Sequence, residues 1–573
     1  MRIRRVCLAM SAAVVAAAQI PAITAARADD ASAKTATPIK HVIVIVGENH
    51  TFDNVFATYQ PREGQSVRNL LSKGIVTGDG RPGENVQQAL QRTATNTTTY
   101  SVDPTRTGSY NTLPQPDTTY AVDPKNSPDP RFPGNLPNAP FQITKSVGYN
   151  GALVGDPIHR FYQMWQQIGA GANDLFVWTA NTAGLDNGAN PPKPIHQGGL
   201  AMGYYNVNSG DAPVLKSWAD SYAMSDNYHQ SVMGGTGANH VVLGSGDDVY
   251  YSDGKGNATV PPSNQIENPN PKPGTNNNFT QDGYSGGTYS NCSDATQPGV
   301  GPVQSYLKAK GQAMPGGNCA PGHYYLLNNY APGYLADGTV ATGNPFTVPP
   351  STVPTIADSL ARNNISWKYY GEGFNHGNPD LNQYCDICNP FQYSTSVMTS
   401  SQRNNLQDMP DFQRDVQNGT LPAVSFVKPN GDHDGHPAYS SLSAFEGFSK
   451  NVVDTVKANH SLWKDTAILV TFDEGGGYYD SGYVQPLSFF GDGTRVPMLV
   501  VSPYARKGYV DHTYTDHTSV LKFIERNWEL GPLSARSMDR LPNPTTEDNA
   551  YVPTNGPAIG DLMTAFDFSH AQD

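Results

Sequence analysis

Four short runs carry apolar side chains on consecutive positions: His41–Val46, Ala423–Val427, Ala467–Phe472 and Met498–Val501. A strand with one wet face alternates apolar and polar residues, whereas a strand covered on both faces does not. These runs therefore predict buried strands of a mainly parallel sheet. Helical spacing appears between and after them. Phe445, Phe448, Val452 and Val456 recur on one face of Ala444–Ala458. Val520, Leu521, Phe523, Ile524 and Trp528 form another apolar face, with Asp516 or Thr515 placed to cap its start. Strands alternating with helices predict an α/β sandwich.

Residues 60–150 and 250–350 break this pattern. They are rich in Asn, Pro, Gly, Thr and Tyr and show little periodicity. With 56 Gly and 46 Pro in 573 residues, they read as long insertions on the sheet, with disorder in parts as the alternative. The first 28 residues stand apart. Arg2, Arg4 and Arg5 precede an apolar stretch from Val6 to Thr24, and Ala26-Arg27-Ala28 offers a small-x-small cleavage site. That is the pattern of a secretory signal peptide. Arg4-Arg5 leaves the twin-arginine route open beside the general one. Residues 29–573 then form one catalytic domain, exported to the periplasm or beyond. No later run approaches the roughly 18 apolar residues of a membrane helix, so no stable membrane insertion is expected.

Charge narrows the partners. Removing residues 1–28 takes away four arginines and no acid, which lowers the formal charge of −13 by four to −17. Nucleic acid is not an expected partner for a chain this acidic. The oligomeric state is not readable. Cys292, Cys319, Cys385 and Cys388 would remain, an even number in an exported chain. Disulfides 292–319 and 385–388 are the simplest pairing, with a four-cysteine zinc site as the rival.

The chemistry collects where strands end. HVIVIV runs into Gly47-Glu48-Asn49, and AILVTF runs into Asp473-Glu474 followed by three glycines. If the two strands are parallel neighbours, three carboxylates and an amide meet at one sheet edge, the usual place for a ligand in an open α/β sheet. Mutual repulsion makes such a cluster costly unless a divalent cation sits among them. Either segment alone is ordinary loop chemistry; both together point to a metal site. In "MGGTGANH", Thr236 is a small hydroxyl flanked by glycines at the start of a helical stretch. It is either a capping threonine or a nucleophile, since a helix N-terminus and a nearby cation both favour its alkoxide. Histidines on loops can hold phosphate oxygens or protonate a leaving group. The candidates are His159, His376 and His436, while His512, Asp516 and His517 suit capping or supporting roles.

The segments "GENHTFDNVF", "SDNYHQSV", "GGTGANH", "WKYYGEGFN", "YCDICNPFQY", "PAVSFVKPNGDHDGHP", "TAILVTFDEGGGYYD" and "RVPMLVVSPYARKGYVDHTYTDHTSVLKFIERNW" occur in order from about residue 40 to 530. Together they resemble the bacterial phosphoesterase family, which joins secreted acid phosphatases and phosphocholine-type phospholipases C. The resemblance implies an alkaline-phosphatase-like three-layer α/β core and a bound divalent metal. It implies Glu48, Asn49, Asp473 and Glu474 as metal ligands, Thr236 as nucleophile, and His159, His376 and His436 around the phosphate. Three departures stand out. The acidic pair is Asp-Glu where many relatives have Asp-Asp. Ser481 stands where a histidine is usual. The turn at Thr236 lacks proline.

The expected activity is hydrolysis of phosphate monoesters, as an acid phosphatase, through a phosphothreonine intermediate. The larger phospholipases of the family carry C-terminal β domains, and only about 45 residues follow Trp528 here, which tips the reading away from phospholipase C. Non-catalytic phosphate binding is a remote third reading. A sulfatase is disfavoured because no Cys/Ser-x-Pro-x-Arg motif surrounds Thr236. Histidines charged below about pH 6.5 would give an acidic optimum. The metal stays open between Ca, Mg, Mn, Zn and Fe.

Overall fold

The computed structural model describes residues 34–571, apart from 96–97, 119–126, 152, 186–192, 195–197, 272–286, 312 and 381–382. The expected signal peptide, residues 1–28, lies outside the described residues.

Eight strands form the central sheet: β1 His41–Gly47, β2 Ala223–Ser225, β3 Trp367–Gly371, β4 Leu406–Gln407, β5 Val424–Lys428, β6 Thr466–Phe472, β7 Met498–Val501 and β8 Tyr509–Asp511. Their order is β4-β3-β5-β1-β6-β7-β2-β8. Only β7 runs against its neighbours; the other pairings are parallel. The four apolar runs in the sequence are the four adjacent central strands, and β2, β3, β4 and β8 lie outside them. β1 sits between β5 and β6, with Val42 to Val46 at most 3% exposed. Each such side chain contributes about 1.5–3 kcal/mol by leaving water.

Successive residues of β1 face opposite layers. Val46 shares a small cavity with His240 and Leu243 of helix Thr236–Ser245. Gly47 faces the other way, where a Cβ would collide with the ring of Phe445 at 2.8 Å. Phe445 belongs to helix Leu442–Ala458. The chain is therefore a helix–sheet–helix sandwich. Leu442–Ala458 starts at a cap in which Ser441 Oγ accepts from Ala444 N–H. Helix Thr518–Trp528 has His517 at its N-cap without a side-chain cap bond, and the preceding Asp516 carboxylate accepts from Thr518 N–H at 2.8 Å.

Among the described residues, 60–150 and 250–350 add short two-stranded ladders, 3-10 turns and the α-helix Val300–Lys310 rather than further strands of the main sheet. Disulfides join Cys292 to Cys319 and Cys385 to Cys388, so the cysteines do not form a zinc site. Among the described residues, no helix is long and apolar enough to cross a membrane.

Candidate active site

Register assembles the site. Gly47 of β1 pairs with Phe472 of β6, so Glu48-Asn49 and Asp473-Glu474 leave the same sheet edge side by side. Asn49 takes φ +64°, a left-handed turn that asparagine tolerates better than most residues. That turn brings Asn49 N–H to Asp473 Oδ1 at 3.1 Å. The same oxygen accepts from Glu474 N–H at 2.7 Å. All four residues are at most 2% exposed.

Thr236 arrives from the layer above. It is the first residue of Thr236–Ser245, whose cap is Gly235. Gly234 and Gly235 lie so close to Leu327 O and Asn329 that a Cβ at either would clash, at 1.8 and 2.7 Å. The glycines therefore allow the turn to pack down on the sheet edge. Thr236 Oγ1 donates within 3.2 Å of Glu48 Oε2 and 3.1 Å of Glu474 Oε1.

The histidines divide. His159 Nδ1 donates to Pro157 O at 2.7 Å, which turns Nε2 toward Glu474 Oε1, 3.8 Å away. His436 Nε2 accepts from Asn49 Nδ2 at 2.9 Å, so the amide oxygen of Asn49 points elsewhere. Burial lowers the pKa of His436 despite the nearby Asp156 and Glu48. Burial thus works against the charged imidazole expected at His436. His376 is not brought to the cluster. It lies on an exposed loop with φ +53°, 67% exposed and 3.5 Å from Asp411. The loop after β3 turns outward toward the start of helix Met409–Asn418, which carries His376 off the edge. His376→Ala is expected to keep kcat/KM within about twofold, the usual range for a surface change; steady-state kinetics check this. Ser481 binds Asp53 through its N–H and hydroxyl, at 2.8 and 2.6 Å. It belongs to the buried Asp53–Arg495–Asp480 ion network rather than to the Thr236 cluster.

Three further residues enter the site. Lys428, the last residue of β5, places Nζ 3.0 Å from Glu48 Oε1. His240, one turn after Thr236, donates Nδ1–H to Thr236 O at 3.0 Å. Asp156 lies 3.5 Å from His159 Nδ1 and 4.0 Å from His436 Nε2. Each had a weak signal in the sequence: a lysine ending a strand beside Glu48, a histidine four residues after Thr236, and an acid three residues before His159.

The cluster has the electrostatics of a cation site. Burial raises the pKa of Asp473 well above the usual range, and the charges of Glu48 and Glu474 add to it. Glu474 is raised for the same leading reason, with Glu48 next. Glu48 differs: burial pushes it up, but Lys428, His240 and His436 together outweigh that and lower it to about 2. Asn49 Oδ1, Asp473 Oδ2, Glu474 Oε2 and His240 Nε2 are buried without a hydrogen-bond partner among the protein atoms. Three unpartnered hard oxygens beside two more carboxylate oxygens fit a divalent cation. Two compact triads adjoin them: Asp156, His159 and His436, and Glu48, His240 and Cys388, each with ligand atoms within 4.8 Å of one another. Cys388 is tied in a disulfide, so the second triad offers no thiolate.

A Phosphoesterase family model matches residues 39–531. The chain belongs to the phosphoesterase family. Phospholipase C B of Mycobacterium tuberculosis is 23% identical over 569 residues, covering 93% of this phosphoesterase and 78% of the relative. A probable acid phosphatase of Kluyveromyces lactis is 30% identical over 253 residues, 40% of this chain and 57% of that protein. The non-hemolytic phospholipase C of Burkholderia pseudomallei is 29% identical over 303 residues, 44% of this chain and 40% of that protein. The chain thus spans about half the length of the last two. Among solved structures, the lipoteichoic acid synthase LtaP of Listeria monocytogenes aligns over 57% of this chain and 68% of its own, at 8% identity and a TM-score of 0.30.

Proposed function

We propose that this phosphoesterase is an exported, metal-dependent hydrolase of phosphate monoesters that works through a phosphothreonine intermediate. One observation carries the reading. Thr236 Oγ1 lies between two carboxylate oxygens at a helix N-terminus, surrounded by buried polar atoms that no protein group satisfies.

Thr236 gives its proton to the Glu474 or Glu48 carboxylate, and its oxygen attacks phosphorus in line with the leaving alcohol. The O–P bond to the threonine forms as the bond to the alcohol breaks. The helix N-terminus meets the equatorial oxygens, joined by His159 Nε2–H when the ring carries that proton beside its Nδ1–H on Pro157 O. His436, with its side chain 15% exposed at the rim of the cluster, is placed to hand a proton to the departing alkoxide. A phosphoryl dianion beside it would favour its charged form, opposing the effect of burial. Water then attacks the phosphothreonine, releasing phosphate and regenerating the hydroxyl. A divalent cation held by Glu48, Asn49, Asp473 and Glu474 would supply charge neutralisation on the phosphoryl group and favour the alkoxide.

Enclosure supports the monoester. Thr236 is 5% exposed, and a monoester presents one bulky substituent where a diester presents two. Phospholipase C is the second reading, favoured by the relative that covers 93% of this chain. Nitrophenyl phosphate and nitrophenyl phosphorylcholine, compared at pH 6, separate them. A monoester preference of tenfold or more in kcat/KM, about 1.4 kcal/mol of discrimination, is expected. A preference for the choline diester would make the chain a phospholipase C.

A further inference from the structure

The two oxygens of Glu48 have different partners. Oε2 faces the hydroxyl of Thr236 at 3.2 Å. Oε1 faces Lys428 Nζ at 3.0 Å. The ammonium also meets Asp434 Oδ2 at 3.4 Å and Pro429 O at 3.2 Å. An ammonium has three hydrogens, and here each has an acceptor. Lys428 is 3% exposed, and it is rooted at the end of β5, directly beside β1. It has no hydrogen left for a substrate and no room to swing to one. Its backbone neighbourhood is fixed as well: Glu48 N–H donates to Asp434 O at 2.8 Å, so Asp434 grips the glutamate backbone and the lysine head together. The disulfide sulfur of Cys388, which has no hydrogen to donate, lies 3.2 Å from the same Oε1.

A free carboxylate in a cation site can rotate and bind through two oxygens. For Glu48 such a rotation would break the Lys428 Nζ–Oε1 contact at 3.0 Å. We propose that Lys428 is a positioning residue: by holding Oε1 it fixes the Glu48 carboxylate and presents Oε2 to Thr236 and to the cation that the cluster would hold. The inference rests on the metal-dependent reading above. It differs from a phosphate-binding role for Lys428, which the three filled hydrogen bonds leave no donor to perform. It also differs from a bare charge effect, since a cation that acts only through its charge would repel the metal.

The test is calorimetric titration of Mn²⁺ into metal-stripped protein, with thermal unfolding as the check on fold. Lys428→Gln is expected to bind Mn²⁺ at least tenfold more weakly, the low end of the range for losing a hydrogen-bond partner of a metal ligand (about 10–100-fold). Lys428→Arg keeps the buried cation, and so carries the test if the Gln variant does not fold. Its planar fork cannot direct three hydrogens from one nitrogen, and binding at least threefold weaker than wild type is expected. Affinity equal to wild type, tighter, or weaker by less than these margins would overturn the positioning role. Wild-type protein that takes up no Mn²⁺ would remove the functional reading and this proposal with it. Wild type that binds while the variants bind equally well would remove the proposal alone.

Discussion

Thr236→Ala lowers kcat by about a thousandfold or more if the hydroxyl forms the covalent intermediate, as loss of a nucleophile does elsewhere. The variant keeps the metal ligands, the helix and its glycine cap. Binding of inorganic phosphate, read by calorimetry, should therefore stay within about tenfold of wild type. Thr236→Ser retains the hydroxyl and should recover most of the rate. The combination matters more than the loss alone. Lost turnover with retained phosphate binding identifies a nucleophile, whereas loss of both would indicate collapse of the site. An alanine variant with more than a tenth of wild-type activity would take Thr236 out of the mechanism. Unchanged phosphate binding in a wild-type protein without turnover would favour the non-catalytic reading.

Removing the metal should invert how stability depends on pH. Asp473 and Glu474 have folded pKa values raised well above the ordinary carboxylate range, by burial first and then by their acidic neighbours. Unfolded, they titrate near 4 (about 3.9 and 4.3). Between the unfolded and folded values, the folded chain holds more protons than the unfolded chain. Stability must then fall as pH rises through that window. The stripped protein is accordingly expected to have a lower Tm at pH 8 than at pH 5. A bound cation replaces those protons and competes with them, so Mn²⁺ should stabilise more at pH 8 than at pH 5. At a thousandfold excess over Kd, the gain is about 4 kcal/mol. Asp434, pushed up to about 7 by burial, and other buried acids also titrate, so the informative quantity is the difference between loaded and stripped protein at each pH. Scanning calorimetry with chelator and with Mn²⁺ measures it. Equal Tm values with and without Mn²⁺ at pH 8 would rule out Mn²⁺ binding at this cluster.

The parts of the fold legible in the sequence were those that physics makes uniform. β1, β5, β6 and β7 are covered on both faces, so their apolar runs are continuous and unmistakable. β2, β4 and β8 are two or three residues long, too short for a period to show. β3, WKYYG, mixes a lysine with aromatics; Lys368 stays partly exposed and pairs with Asp415. The site divides along the same line. Glu48, Asn49, Asp473 and Glu474 follow recognisable strands, so their meeting could be inferred from parallel pairing. Lys428 also ends a strand, but a lone lysine reads as a solvated terminus until its three acceptors are seen. His376 illustrates the opposite error. It follows a strand on the correct edge, yet a positive-φ turn carries it outward, and that turn leaves no periodic trace in a glycine-rich stretch.

The placement of β1 has a consequence for synthesis. It is the first strand made and the most central, and its partners begin at residues 424 and 466. About 380 residues must follow Gly47 before either edge can pair, which at about 5–20 residues per second is roughly 20–75 s. Throughout that interval HVIVIV is an apolar segment with two open edges, the combination that templates aggregation. A nascent chain ending before residue 473 also lacks two of the three acids proposed to hold the cation. The molecule therefore stays both inert and adhesive for most of its manufacture, and its yield should depend on the holding chaperones that shield its earliest strand.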